Sequence, residues 1–321
     1  MRKVTYAQAI NEAMREEMLR DENVFFIGED IGLYHCGRGP SGASIGLLEE
    51  FGDQRVIETP IAESAIVGSS VGAALCGMRP IVEIMHSEFL CHCFEHVFYG
   101  GTKGAVMSNG KPFPIVIRAP FGGVNPGQMV QDENNEAWFN NSPGLRIVAP
   151  STPYDAKGLM KSAIRGDYPV LFMEHKGLYK TREEIPEEEY FVPIGKAAVR
   201  REGKDLTVLT YGNMVRKALA AAEELSTGGV DIEVIDLRTI HPLDEETILH
   251  SVTKTGRAVV FHEARKTGGL GGEVAALIAE KAFSYLKAPV LRVAGPDVPA
   301  NFPCSEGDLI EGVKEVIGYK Q

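Results

Sequence analysis

The chain has 321 residues, 44% of them hydrophobic and 24% charged, the balance of a globular protein of one large or two ordinary domains. Its net charge of -11 argues against a nucleic-acid scaffold, because backbone binding needs a surplus of Lys and Arg. No run of about 18 apolar residues predicts a membrane span, the charged N-terminus is not a secretory signal, and the five cysteines read as reduced thiols of a cytoplasmic protein.

In chain order, Thr5 and Gln8 form a capping-box pattern ahead of Ile10, Ala13, Met14 and Met18 at helical spacing. VFFIGED (24–30) reads as a buried strand that ends in acids. Residues 62–78 read as a helix, PIVEIM (80–85) as a strand and 88–107 as a helix. PIVIRAP (114–120) and LRIVAP (145–150) are strands, Thr152-Pro153 opens a helix, and VLFMEH (170–175) is a strand. The charged stretch TREEIPEEEYFVPIGK, with two prolines, has the composition of a linker. Strand and helix patterns then resume to the C-terminus. Apolar strands alternating with helices imply mostly parallel sheets covered by helices on both faces. The expected architecture is α/β with two domains, 1–190 and 191–321.

Three short motifs fit their usual meanings poorly. Gly37, Gly39 and Gly42 trail their strand by several residues, whereas a dinucleotide loop follows it at once. Gly68 to Gly72 fits GxSxG but sits within a small-residue helical run. HSEFLCHCFEH (86–96) is dense in zinc-type ligands, yet no second ligand pair accompanies it. Its Phe89, Leu90, Phe94, Val97 and Phe98 favour a packed helix with some polar groups facing a cavity. Glu63, near the start of the next helix after VIETP, reads either as favouring that helix N-terminus or as a buried proton-handling carboxylate.

Six blocks together, GEDIG (28–32), FGDQRVIETPIAESAIVGSSVGAALCGMRPIVEI (51–84), PIVIRAPFGG (114–123), residues 143–165, residues 235–264 and VAGPDVPANFP (293–303), resemble the β chain of the thiamine-diphosphate-dependent 2-oxo acid dehydrogenases. That family includes the pyruvate, branched-chain 2-oxo acid and acetoin enzymes. The resemblance implies a pyrimidine-binding domain followed by a transketolase-type C-terminal domain. It implies a heteromer of two α and two β chains with thiamine diphosphate between them, Mg²⁺ held mainly by the α chain, and decarboxylation of a 2-oxo acid with acyl transfer to lipoamide. The α-chain motif GDG…NN is missing here, so this chain carries half a cofactor site. A lipoyl acyltransferase core is the further partner that the family implies.

By the same resemblance, Glu63 is the glutamate that hydrogen-bonds the aminopyrimidine ring and Phe89 the aromatic that packs on it. Met85 and Glu29 are placed beside the cofactor. Ile115, Ala163, Gly166 and Tyr168 match positions whose carbonyls hold a structural potassium ion, a hard cation suited to oxygen. The chain departs from the family at QDENNEAWFNNSPGL, where Gln131 and Asn141 replace two histidines. The first of these is the active-site histidine, and a glutamine cannot titrate near neutral pH. His86 is then the candidate substitute proton donor. A transketolase-like carboligase that hands its two-carbon unit to an aldehyde or ketone is the alternative activity, and a non-catalytic assembly chain the alternative role.

Overall fold

A computed structural model describes residues 1–32, 42–123, 133–299 and 302–320. Contacts divide the chain into two compact units, Met1–Phe121 with Trp138–Ile194, and Gly122–Ala137 with Gly195–Gln321. Gly122–Ala137 therefore packs with the second unit, although a single cut in the sequence near residue 190 leaves it in the first. Its attachments explain this. Glu133 forms a two-pronged ion pair with Arg265 at 2.5 and 2.9 Å. Glu263 accepts from the Gly123 amide, and the buried Tyr211 hydroxyl donates to the buried Glu136.

In the first unit, β1 (Arg2–Thr5) precedes α1 (Tyr6–Arg20), which Thr5 and Gln8 open with the expected capping box. Then follow β2 (Val24–Glu29), α2 (Leu47–Phe51), β3 (Val56–Thr59), α3 (Glu63–Leu75), β4 (Arg79–Glu83), a 3₁₀ turn over Ser87–Cys93, and α4 (Phe94–Met107). The unit continues with β5 (Ile115–Phe121), β6 (Arg146–Val148), α5 (Pro153–Arg165), β7 (Pro169–His175) and β8 (Arg182–Ile185). Six parallel strands lie in the order β6-β7-β5-β4-β2-β3, and β1 pairs with β8 separately. β2, β5 and β7 are buried along their whole length, as strands covered on both faces must be.

In the second unit, β9 (Ala198–Arg201), β10 (Leu206–Thr210), α6 (Met214–Thr227), β11 (Ile232–Asp236), a short β12 (Thr239–His241), α7 (Glu245–Thr255), β13 (Ala258–Arg265), α8 (Leu270–Ala282), β14 (Leu291–Gly295) and α9 (Glu306–Ile317) follow in turn. The sheet order is β14-β13-β10-β11-β9, parallel except for β9. Among the described residues no helix is long and apolar enough to cross a membrane.

The region 88–107, read from sequence as one helix, begins as a 3₁₀ turn. Ser87, Leu90 and Cys93 are its buried residues, at intervals of three. Three residues per turn puts such a set on one face, which 3.6 per turn would spread.

Arg118 on β5 is fully buried and reaches Glu83 on β4 and Glu174 on β7, the latter at 2.6 and 2.9 Å. Tyr179 also donates to Glu174 at 3.0 Å. Burial pushes the Glu83 carboxyl up, Glu174 adds to the push, and Arg118 opposes it. Replacing Arg118 with Ala strands two buried carboxylates and is expected to cost about 3–5 kcal/mol in urea unfolding. Replacing Glu83 with Gln, which keeps an oxygen for Arg118 and leaves Glu174 to pair the guanidinium, should cost less.

His262 on β13 is buried, and burial pushes its imidazole down to about 4. A depressed folded value contributes stability above the unfolded value that is lost as pH falls toward the folded one. Unfolding free energy should therefore fall by about 3 kcal/mol between roughly pH 6.5 and pH 4 through this group. Denaturant titrations of wild type and His262→Phe across that window should differ by this amount.

Candidate active site

In an open parallel sheet, ligands gather beyond the strand C-termini where neighbouring strands send their connections to opposite sides. In the first unit that place lies between β2 and β4. β2 leads to β3 on one side and β4 leads to β5 on the other. Glu29 ends β2 and is buried, and Asp30 beside it has a left-handed φ of 53°. On the β3 side of β2 lies a cleft of about 720 Å³, lined by Glu29, Asp30, Leu48, Glu58, Thr59 and Ile61 among others and by none of Glu63, Met85, His86 and Phe89. Beyond β4, the Ile84 amide donates to the Arg118 carbonyl at 3.0 Å, and the half-buried Met85 and His86 follow at once.

Glu63 is the first residue of α3 and is only 7% exposed. Its carboxylate lies at the helix end where unsatisfied amides favour negative charge. The helix brings it to the 3₁₀ turn, where its Oε2 is 3.5 Å from His92 Nδ1. Side chains three apart eclipse in a 3₁₀ turn, so His86, Phe89 and His92 form a column. The His86 ring meets Phe89 edge-on at 5.6 Å, and Phe89 stacks on His92 at 5.6 Å with only 6° between planes. The structure thus gathers Glu63, His86 and Phe89 at one place, with Met85 and Glu29 on the adjacent strand ends. His92 was not singled out beside Glu63 from sequence. The signal was present as HxxFxxH, a period of three rather than four. Gln131 lies outside the described residues, and Asn141 is exposed beyond the short 3₁₀ turn Glu136–Phe139.

The histidines and cysteines of HSEFLCHCFEH do not converge as ligands. Among the described residues no group of three or more metal-ligating side chains comes together. Burial pushes the Cys93 thiol up to about 12, helped by Glu63 and Cys91, so it stays neutral. The GxSxG pattern lies inside α3 and forms no strand-to-helix elbow.

Ile115, Ala163, Gly166 and Tyr168 gather at the opposite edge of the sheet. Ile115 opens β5, facing Pro169 at the start of β7, while Ala163 and Gly166 belong to the last turn and C-cap of α5. Arg79 donates to the carbonyls of Ile164, Arg165 and Gly166 at 3.1, 2.9 and 3.0 Å and pairs with Asp167. The Arg146 guanidinium lies over the Tyr168 ring at 3.2 Å. One of the four carbonyls already has a cationic donor. The Arg79 guanidinium stands at the end of α5, where positive charge is favoured.

Comparison with known proteins bears on the whole chain. Residues 2–182 match the transketolase pyrimidine-binding domain and residues 195–309 the transketolase C-terminal domain. A 2-oxoisovalerate dehydrogenase subunit beta of Bacillus subtilis is 48% identical over 299 residues, 92% of this chain and 90% of that one. Pyruvate dehydrogenase E1 component subunits beta of Staphylococcus epidermidis and B. subtilis are each 45% identical over 319 residues, 99% of this chain and 97% of theirs. Among solved structures, a split-gene transketolase described as an inactive beta4 tetramer aligns with a TM-score of 0.81 at 22% identity, covering 99% of both chains. A transketolase from Leishmania mexicana aligns at 0.70 and 15% identity over 99% of this chain and 46% of its own.

The Arg79 contacts make a prediction about ions. Arg79→Met should lower stability by roughly 1–3 kcal/mol by stripping donors from three carbonyls. Exchange of potassium for sodium should leave the wild-type unfolding midpoint unchanged. A potassium-specific rise in that midpoint would show that the carbonyls do hold the ion.

Proposed function

Because this chain belongs to the transketolase-type β chains of the 2-oxo acid dehydrogenases, we propose that it contributes the pyrimidine side of a thiamine diphosphate site to a heteromer with an α-type chain. The assembly would decarboxylate a 2-oxo acid, of the pyruvate or branched-chain class, and pass the acyl unit to lipoamide. The observation that carries this reading is the buried Glu63 carboxylate at the start of α3, joined through His92 to the Phe89 ring.

These residues fit the group. Thiamine diphosphate, when bound, supplies the electron sink for decarboxylation. Glu63 has two carboxylate oxygens, and the one turned away from His92 can hydrogen-bond a ring nitrogen in a place largely closed to water. Phe89 offers a half-buried ring face as a packing surface. Glu29 and Met85 would border the ring from the neighbouring strand ends. His86, against the edge of Phe89, is the proton donor proposed in place of the histidine that Gln131 replaces.

Mg²⁺ and the diphosphate are assigned to the α-type chain, since this sequence lacks GDG. That chain would cover exposed apolar side chains of this unit, among them Leu75 of α3 and Tyr99 and Val106 of α4. An assembly of two α and two β chains, docked to a lipoyl acyltransferase core, completes the proposal. Gln131 favours one second reading, transfer of a two-carbon unit to an aldehyde or ketone, because acylation of a lipoyl arm is where the family histidine is implicated.

The test is made on this chain co-expressed with an α-type partner and given thiamine diphosphate, Mg²⁺ and a series of 2-oxo acids. Release of CO₂ with reduction of an artificial electron acceptor is expected. Glu63→Gln should reduce CO₂ release by about 10²–10⁴-fold while the heteromer still assembles. Adding lipoyl domain or an aldehyde then separates the two acceptors. No CO₂ from any 2-oxo acid, in a heteromer shown to bind the cofactor, would sink the proposal.

A further inference from the structure

His92 holds two neighbours of the candidate site at once. Its Nδ1 lies 3.5 Å from Glu63 Oε2, and its ring stacks on Phe89 at 5.6 Å and 6°. Its backbone is fixed as well, because the Ser64 hydroxyl donates to the His92 carbonyl at 2.6 Å. The first turn of α3 and the 3₁₀ turn are thus tied at two points one residue apart. Among the described residues, His92 is the one cation-capable side chain paired with Glu63 within 4.0 Å. Its own segment carries His86, Glu88, Cys91, Cys93, Glu95 and His96, and Glu63 faces it from α3.

We propose that His92 is a positioning residue that sets the rotation of the Glu63 carboxylate and the tilt of the Phe89 ring. The inference rests on the reading of Glu63 as the group that engages the cofactor ring. A carboxylate turns freely about its last bond unless one oxygen is held. The imidazole Nδ1, 3.5 Å from Oε2, draws that oxygen toward itself as an ion-pair partner, which leaves Oε1 turned outward for a ring nitrogen. The same approach favours the tautomer with its proton on Nδ1, since the carboxylate oxygen lies nearest that nitrogen. The side chain of His92 is 58% exposed, so substitution there leaves the core intact. Period-three packing makes the role possible, since only an eclipsed turn puts His92 under Phe89 and beside α3 together.

The test uses the full chain assembled with its α-type partner. His92→Ala should lower kcat for CO₂ release by roughly tenfold to a hundredfold, the effect of a small misplacement at a reacting centre, with KM for the 2-oxo acid held. His92→Gln, which keeps a donor, should recover part of the loss. In a Glu63→Gln background, His92→Ala should cost much less than in the wild type, because only its support of the Phe89 ring is then left to lose.

A second readout needs no turnover. In cofactor-free protein with ¹⁵N-labelled histidine, two-bond ¹H–¹⁵N spectra should place the His92 proton on Nδ1. Glu63→Gln should move it toward Nε2. A His92 spectrum indifferent to Glu63→Gln, or full kcat in His92→Ala, overturns the inference while leaving Glu63 in its role. Full CO₂ release by Glu63→Gln overturns the reading of Glu63 itself, and this inference with it.

Discussion

Arg118 is a full positive charge in the middle of a sheet, and a buried charge persists only where opposite charges and hydrogen bonds surround it. Glu83 on β4 and Glu174 on β7 meet that need from both neighbouring strands. Because the side chains are fixed in length, the pairing also fixes register, with Glu83 opposite Arg118 across the β4–β5 ladder. Everything beyond the ends of these strands inherits that register. The Ile84 amide bonds the Arg118 carbonyl, and two residues later the column of His86, Phe89 and His92 begins. A slip of one residue would turn Met85 and His86 to opposite faces.

From that anchor the site is assembled by local geometry. α3 starts with Glu63, so its amides and its carboxylate sit at the same end. The 3₁₀ turn eclipses residues that an α-helix would splay, and it brings His92 to Glu63. At the other edge of the sheet, Arg79 caps the last carbonyls of α5 from the start of β4. The two edges divide the labour of the unit. The C-terminal edge collects reactive groups, and the N-terminal edge is closed by guanidinium groups.

The second unit uses its own strand ends differently. Tyr211 follows β10, Glu263 and Arg265 lie at the end of β13, and all three bind residues of Gly122–Ala137. The ends of β10 and β13, where an open α/β sheet would place a ligand, here bond Gly123, Glu133 and Glu136 of the same chain. Burial pushes the Tyr211 hydroxyl well above its ordinary value, with Glu136 adding to it, so the contact keeps its proton on the phenol.

Local pattern was enough for much of this. Alternating apolar runs and helical periods determined the α/β class and most elements, because burial on both faces leaves a mark in every strand. Thr5 with Gln8 determined the start of α1 within a few residues, since a cap depends only on neighbours in sequence. The long ordered blocks, more than any short motif, pointed to Glu63 and Phe89. What sequence could not decide was anything set by atoms far apart in the chain. The helix read over 88–107 opened as a 3₁₀ turn because burial against the rest of the unit, not propensity, chose its period. The Arg79 cap on α5 spans more than 80 residues, and the grip of Arg265 on Glu133 spans 132. The pairing of His92 with Glu63 joins two turns 29 positions apart whose approach is fixed by the sheet between them. Composition and spacing named the groups, and the folded backbone decided which of them meet.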